Sequence, residues 1–207
     1  MNDVSRERHW ENVYSTKSEK DVSWFQETPG PSLELIKLVG ATRRSAIVDI
    51  GGGASRLAER LVSDGYQDLT VLDLSASALA AARQRMGPNP NQVVWIVADV
   101  TRWEPSRTYD IWHDRAAFHF LTDPSDQTAY IARLKRALPH GGHAIMGTFA
   151  PDGPEKCSGL PVARYDAEGL GALLGPSFIL IDSRRHEHQT PWGAVQRFQF
   201  SSFRFVA

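Results

Sequence analysis

An α/β domain with a mostly parallel, doubly wound sheet is predicted by three features of the sequence. Short β-branched runs alternate with segments of helical periodicity. The runs are continuously apolar, as parallel strands covered on both faces require, whereas a half-exposed strand would alternate. Three consecutive glycines, Gly51, Gly52 and Gly53, follow the first such run. There the backbone turns sharply and can approach a ligand that any Cβ would obstruct.

The elements follow in order. Residues 2–17 group His9, Trp10, Val13 and Tyr14 at helical spacing, and an irregular stretch through Ser23, Trp24 and Phe25 leads to a helix begun by Pro31, with Leu33, Leu35, Ile36 and Leu38. The first strand is Ala46-Ile47-Val48-Asp49-Ile50. Ser55 offers a capping oxygen to a helix that carries Leu57, Ala58, Leu61 and Val62 on one face and stops near Gly65. A second strand, 69–73, precedes a helix from Ser75 to about Met86, and further strands are expected at 92–97, 109–113 and 143–149. Between the last two, Asp123 caps a helix with Pro124 at its first position, Tyr130, Ile131, Leu134 and Leu138 toward a core, and Pro139 and Gly141-Gly142 at its end. The C-terminal segments 178–181 and 195–206 are both strand-like, and 186–193 is too short for a crossover helix, so they pair antiparallel. Phe198 and Phe200 share one parity and Phe203 and Phe205 the other; a bulge near Ser201-Ser202 is expected to bring all four to one face.

A length of 207 residues predicts one domain, 1–207, with 1–45 as an N-terminal helical cap and 46–207 as the sheet domain. With 23 Lys and Arg against 24 Asp and Glu, the chain lacks the basic footprint of a protein that grips nucleic acid or an anionic membrane. Cys157 is the single cysteine, so no intramolecular disulfide forms. With no apolar stretch of spanning length either, the expected location is cytoplasmic.

Acids stand at three successive strand ends. Asp73 ends the second strand, where a carboxylate accepts from both hydroxyls of a ribose, a feature common to NAD and S-adenosylmethionine sites. Asp49, at the mouth of the first strand, suits an ammonium or sulfonium and repels a pyrophosphate, and Asp99 can accept from the exocyclic amine of adenine. Arg56 occupies the last glycine position of a dinucleotide fingerprint, which argues against an NAD(P)-dependent oxidoreductase. Each acid alone also reads as a helix cap or turn residue.

Together these segments resemble class I S-adenosylmethionine-dependent methyltransferases: Asp49-Ile50-Gly51-Gly52-Gly53-Ala54-Ser55, Leu72-Asp73-Leu74-Ser75, Ala98-Asp99-Val100 and Leu138-Pro139-His140-Gly141-Gly142. The resemblance spans about 45–205 and departs from the usual glycine pattern at Ser55. It implies a Rossmann-like seven-stranded sheet with the last strand inserted antiparallel and helices on both faces. It further implies S-adenosyl-L-methionine as cofactor, its carboxypropyl end over Gly51 and Gly53, its ribose on Asp73 and its adenine near Asp99 and Val100, with Asp49, Gly52, Ser55, Leu74 and Asp114 also among the cofactor-binding residues. The opening His9-Trp10-Glu11-Asn12-Val13-Tyr14 with Ser23-Trp24-Phe25 resembles a branch of the family that includes protein-lysine methyltransferases. There the segment folds over the cofactor, which assigns Trp10, Tyr14 and Trp24 to the cofactor wall; a plain hydrophobic staple is the other reading.

Trp112-His113-Asp114-Arg115-Ala116-Ala117-Phe118-His119 follows the fourth strand, where the resemblance places the transferable methyl. His113 and His119 have the intrinsic pKa of a general base, and Asp114 could orient substrate or hold a cation. Asp114 also reads as the cap of a short helix and the histidines as core residues. A metal site is not expected, since adjacent strand residues point to opposite faces. With no accessory domain and no basic surface, the expected acceptor is a small molecule, with a protein lysine or other protein side chain as competitor, soft thiol or chalcogen acceptors also open, and an inactive cofactor-binding scaffold as a remoter reading; oligomeric state is left open. The loop 150–160 with Cys157 and the turn 186–193 with Trp192 belong to the substrate side, and His186 and His188 read as a solvent-exposed pair.

Overall fold

The computed structural model describes residues 3–87 and 92–207. The helices are α1 Asp3–Thr16, α2 Gly30–Leu38, α3 Leu57–Ser63, α4 Ala76–Arg85, α5 Pro124–Ala137 and α6 Ala167–Leu174. The strands are β1 Ala46–Ile50, β2 Asp68–Asp73, β3 Val93–Val97, β4 Ile111–Arg115, β5 His143–Phe149, β8 Phe178–Gln189 and β9 Val195–Phe205, with a two-residue pair β6 Lys156–Cys157 and β7 Leu160–Pro161 between β5 and α6. Asn2, the first residue of the predicted N-terminal helix, lies outside the described residues.

The seven long strands form one sheet in the order β3-β2-β1-β4-β5-β9-β8. β1 to β5 pair in parallel and β9 runs antiparallel between β5 and β8. Chain order reverses beside β1, which lies between β2 and β4. Register pairs Ile50 with Leu72 and Asp114, and Asp73 with Val97, so the C-terminal ends of four strands stand side by side.

Both faces are covered. One core joins Val48, Ile50, Trp112, Met146 and Phe203 to Tyr130, Leu134, Leu170 and Leu174 of α5 and α6. The other joins Ile47, Val71, Ile111, Ile145 and Phe200 to Leu35, Ile36, Leu57 and Leu61 of α2 and α3. Caps form where side-chain oxygens stand ready: Ser75 accepts from Ala78 N, Asp123 from Ser125 N and Asp166 from Gly169 N.

Four details differ from the sequence expectation. α3 begins at Leu57 with Arg56 as cap, while Ser55 Oγ accepts from Leu57 N at 3.2 Å one position early. β4 begins at Ile111 because Asp110 is drawn to the foot of the sheet, its Oδ2 accepting from Ala46 N at 2.8 Å. α6 was not signalled by the sequence: Gly169 and Gly171 depress its propensity, and packing of Leu170, Leu174 and Gly171 against the core and the Phe203 ring holds it.

The fourth concerns β9, which pairs with β5 without interruption from Phe198 to Arg204; the irregularity lies on β8, between Leu180 and Asp182. Phe198 and Phe200 therefore enter one core and Phe203 and Phe205 the other. A strand covered on both faces needs apolar residues of both parities, so no bulge has to gather them.

Phe200 and Phe203 lie at 1% and 0% exposure in separate cores. Phe200→Ala and Phe203→Ala should each cost about 3–5 kcal/mol in urea unfolding, with the double variant additive within about 0.5 kcal/mol. A larger coupling would mean that the rings share one core.

Candidate functional site

The aligned strand ends floor a cleft of about 770 Å³, counted to its open mouth. Ile50, Leu72, Ala98, Val100, Phe120 and Leu121 give it apolar walls. From the sequence-predicted set, Trp10, Tyr14, Trp24, Gly51, Asp73, Leu74, Asp99 and Val100 line it. A narrow side pocket holds Asp49, Gly51, Gly52, Ser55 and His113.

The glycines are enforced by close approach. Gly51 has φ +64°, and a Cβ there would come within 2.5 Å of Ala117 Cβ; a Cβ on Gly52 would meet Asp49 Oδ2 at 2.6 Å. At Gly53, φ +44°, it would meet Asp73 Oδ2 at 2.9 Å and Tyr14 Oη at 3.0 Å. Gly51 N and Gly52 N both donate to Leu72 O, tying the turn to the end of β2.

Asp73 Oδ1 accepts from Ser75 N at 2.8 Å. Burial pushes its carboxyl up to about 7, against backbone donation from Ser75 and Gly53, and Asp49 adds to the rise. Two backbone donors leave acceptor capacity for a further pair, which fits a vicinal diol. Asp99 Oδ1 accepts from both Thr101 N (2.8 Å) and Thr101 Oγ1 (2.7 Å), while Oδ2 faces Arg6 Nη2 at 3.4 Å.

β4 sends its successive residues to opposite faces. His113 turns toward α2: Nδ1 lies 2.7 Å from Asp49 Oδ1 and Nε2 2.9 Å from Ser32 Oγ. Both ring nitrogens are engaged, and what His113 does for the cleft is hold Asp49. Asp114 turns toward α5 and is fully buried outside the cleft. It accepts from Ala117 N and Phe118 N, and Tyr130 Oη donates to its Oδ2 at 2.6 Å while accepting from Trp112 Nε1 at 2.7 Å. Burial raises this carboxyl to about 6, opposed by those donors. Asp114 thus caps the short turn Phe118–Phe120 and anchors it to α5, and it does not line the cleft. His119 also lies outside the cleft, with Nδ1 accepting from Phe149 N at 3.4 Å, and burial followed by Arg115 lowers its pKa to about 3. The side chains of His113, Asp114 and His119 are not brought together. Among the described residues no group of three or more His, Cys, Asp or Glu is arranged to hold a metal ion.

The segment before β1 packs over the cleft. Glu11 accepts from Ser75 Oγ at 2.7 Å and also from Ser77 Oγ, joining α1 to the start of α4. Arg6 reaches Asp126 at 2.9 Å. Trp10 meets Phe120 and Trp24 with ring centroids 4.8 and 5.7 Å apart. Farther along, Glu19 bridges Arg56 (2.6 Å) and Arg85 (2.7 Å).

The sequence reading missed Arg6, Arg115, Ala116 and Ala117 as cleft residues. Arg115 stood within a quoted motif, but the shift of β4 decides where it points. Ala116, at φ 65°, occupies a region that L-residues other than glycine seldom enter, and this turn brings Ala117 against Gly51. Cys157 is buried against the cleft, its thiol raised to about 11 by burial. His186 and His188 lie within β8, and His188 is buried with Nε2 2.7 Å from Ser23 O, which corrects the expected exposed pair.

Residues 47–142 match the family model described as a methyltransferase domain. The malonyl-(acyl-carrier protein) O-methyltransferase of Anoxybacillus flavithermus is 33% identical over 105 residues, covering 50% of this chain and 38% of that protein. The eEF1A lysine and N-terminal methyltransferase of Mus musculus is 26% identical over 151 residues, covering 69% of this chain and 21% of that protein. The chain thus spans well under half the length of these curated relatives. The crystal structure of the N-methyltransferase NodS from Bradyrhizobium japonicum WM9, in complex with S-adenosyl-L-homocysteine, superposes with a TM-score of 0.72 at 18% identity, covering 95% of this chain and 98% of that one. At that identity the likeness is one of fold. The segment that supplies β1 to β4, the glycine turn and the acids at the strand ends is the part of the chain that matches the methyltransferase domain family.

Proposed function

We propose that this chain is an S-adenosylmethionine-dependent methyltransferase acting on a small-molecule acceptor, with residues 1–207 working as one unit. The observation that carries the reading is that Gly51, Asp73 and Asp99, from three neighbouring strand ends, line one continuous cleft. S-adenosylmethionine supplies, when bound, a methyl group activated on a sulfonium sulfur. Asp73 would accept from the ribose hydroxyls, Asp99 from the adenine amine, and Asp49 would face the ammonium. The chain's remaining task is alignment and exclusion of water, and Trp10, Tyr14, Trp24 and Phe120 supply an aromatic wall for it.

A small acceptor is favoured because Arg6, Trp10 and Tyr14 of α1 form part of the cleft wall. The Trp-rich opening and the mouse protein-methylating relative support a second reading, a protein side chain as acceptor. Labelled methyl transfer to separated small-molecule and protein fractions of a cell extract decides between them, label in the small-molecule fraction being expected. S-adenosylhomocysteine should raise the melting temperature and NAD(P) should not; the reverse would favour an oxidoreductase. Binding without any labelled product would mark an inactive scaffold.

Asp73 carries a pH dependence. Its carboxyl titrates near 7 and must be ionised to accept from two hydroxyls, so affinity for S-adenosylhomocysteine should fall as pH drops from about 8 to about 6. Calorimetry of Asp73→Asn should show weaker binding with that dependence gone; an unchanged pH profile would sink the ribose assignment. Glu11→Ala, which unties α1 from α4, should speed S-adenosylhomocysteine release roughly tenfold in stopped-flow experiments, the loss of charged hydrogen bonds.

A further inference from the structure

The cleft runs along the sheet edge from β3 through β2 and β1 to β4, and its charges are divided between the two ends. At the β3 end Arg6 is held between Asp99 and Asp126. At the β4 end stands Arg115. Its Nη2 donates to Trp24 O at 2.8 Å, but its Nη1 is buried and hydrogen-bonds to nothing. Among the described residues Arg115 makes no direct ion pair: Asp49 is the chief opposite charge acting on it, but its Oδ1 is directed to His113, and burial holds the neighbouring Tyr14 hydroxyl and Cys157 thiol well above their ordinary pKa values, hence neutral at pH 7. A buried cation with an idle donor is costly unless an anion arrives.

Among the described residues no free base lines the cleft at this end, and Asp49 lies in the side pocket, held by His113. Both nitrogens of His113 are engaged, His119 and Asp114 lie outside the cleft, and Asp73 sits two strands away at the proposed ribose site. An alcohol would need a base. A neutral amine would need none, but methylation would turn it into an ammonium beside the guanidinium, a like-charge pair in a setting of Trp10, Trp24 and Phe120 where screening is weak.

Building on the proposed function, we propose that the acceptor is a small molecule whose nucleophilic atom is already an anion at neutral pH, a thiolate or a carboxylate, and that Arg115 is its counter-charge. The anion's lone pair forms the bond to the methyl carbon while the pair of the broken carbon–sulfur bond stays on sulfur. One positive and one negative charge are consumed, two neutral products form, and no proton is released.

The test uses the full chain with labelled S-adenosylmethionine and two acceptor sources: a matched aromatic series (thiol, carboxylate, amine, phenol) and the small-molecule fraction of a cell extract, with the linkage of each labelled product identified. Thioether or methyl ester products are expected, the first pointing to a thiolate and the second to a carboxylate. N-methyl or ether products overturn the inference and leave the proposed function standing. S-adenosylhomocysteine binding with no labelled product from either source overturns both. With a turned-over acceptor, Arg115→Gln should lose roughly 10- to 100-fold in kcat/KM and Arg115→Lys should recover part of it. Their affinity for S-adenosylhomocysteine should stay within about threefold of the parent, which also reports that each variant is folded. If Arg115→Gln instead loses S-adenosylhomocysteine affinity while keeping that for 5′-methylthioadenosine, which has no carboxylate, Arg115 serves the cofactor's own carboxylate and the inference fails.

Discussion

The reversal of strand order beside β1 is the constraint on which the rest of this molecule depends. The helices that follow β1 and β4 pack on opposite faces of the sheet, α3 in one core and α5 in the other. A cleft at the strand ends follows from that divergence. Its floor is sealed by contacts that only small residues permit, Gly51 against Ala117 and Gly52 against Asp49.

Two buried polar assemblies hold that geometry, one behind each face of β4. On the α2 side Ser32, His113 and Asp49 form a chain that aims the Asp49 carboxylate. On the α5 side Trp112, Tyr130 and Asp114 form another that pins the turn after β4. Groups so deeply buried are tolerable because their hydrogen bonds are made within the protein, and the same bonds remove them from chemistry. His113, Asp114 and His119 are thus supports, and the β4 end of the cleft is left with aromatic rings, backbone and the under-satisfied guanidinium of Arg115.

α1 and the residues after it belong to this site as much as the sheet does. Glu11, Arg6 and Glu19 tie the segment to α4, α5 and α3, and Trp10, Tyr14 and Trp24 become walls of the cleft. These ties are partly buried side-chain contacts, and together they hold α1 and the residues after it over the cleft.

Apolar runs, glycines and caps are local features, and they made the sheet, five of its helices and the acids at the strand ends legible in the chain itself. The antiparallel hairpin followed from the length of its connection, and the cleft wall from motif residues whose backbone is fixed by neighbouring strands. What only the tertiary structure decided was where side chains of adjacent residues point. A two-residue shift in the start of β4 placed His113, Asp114 and Arg115, and a face-by-face division of β9 sent its phenylalanines to different cores. The first decides which residues the strand holds at its C-terminal end, and the second turns on strand parity, where a single residue of register carries a side chain from one face to the other. That register is set by long-range partners such as Asp110 with Ala46, which no local pattern contains.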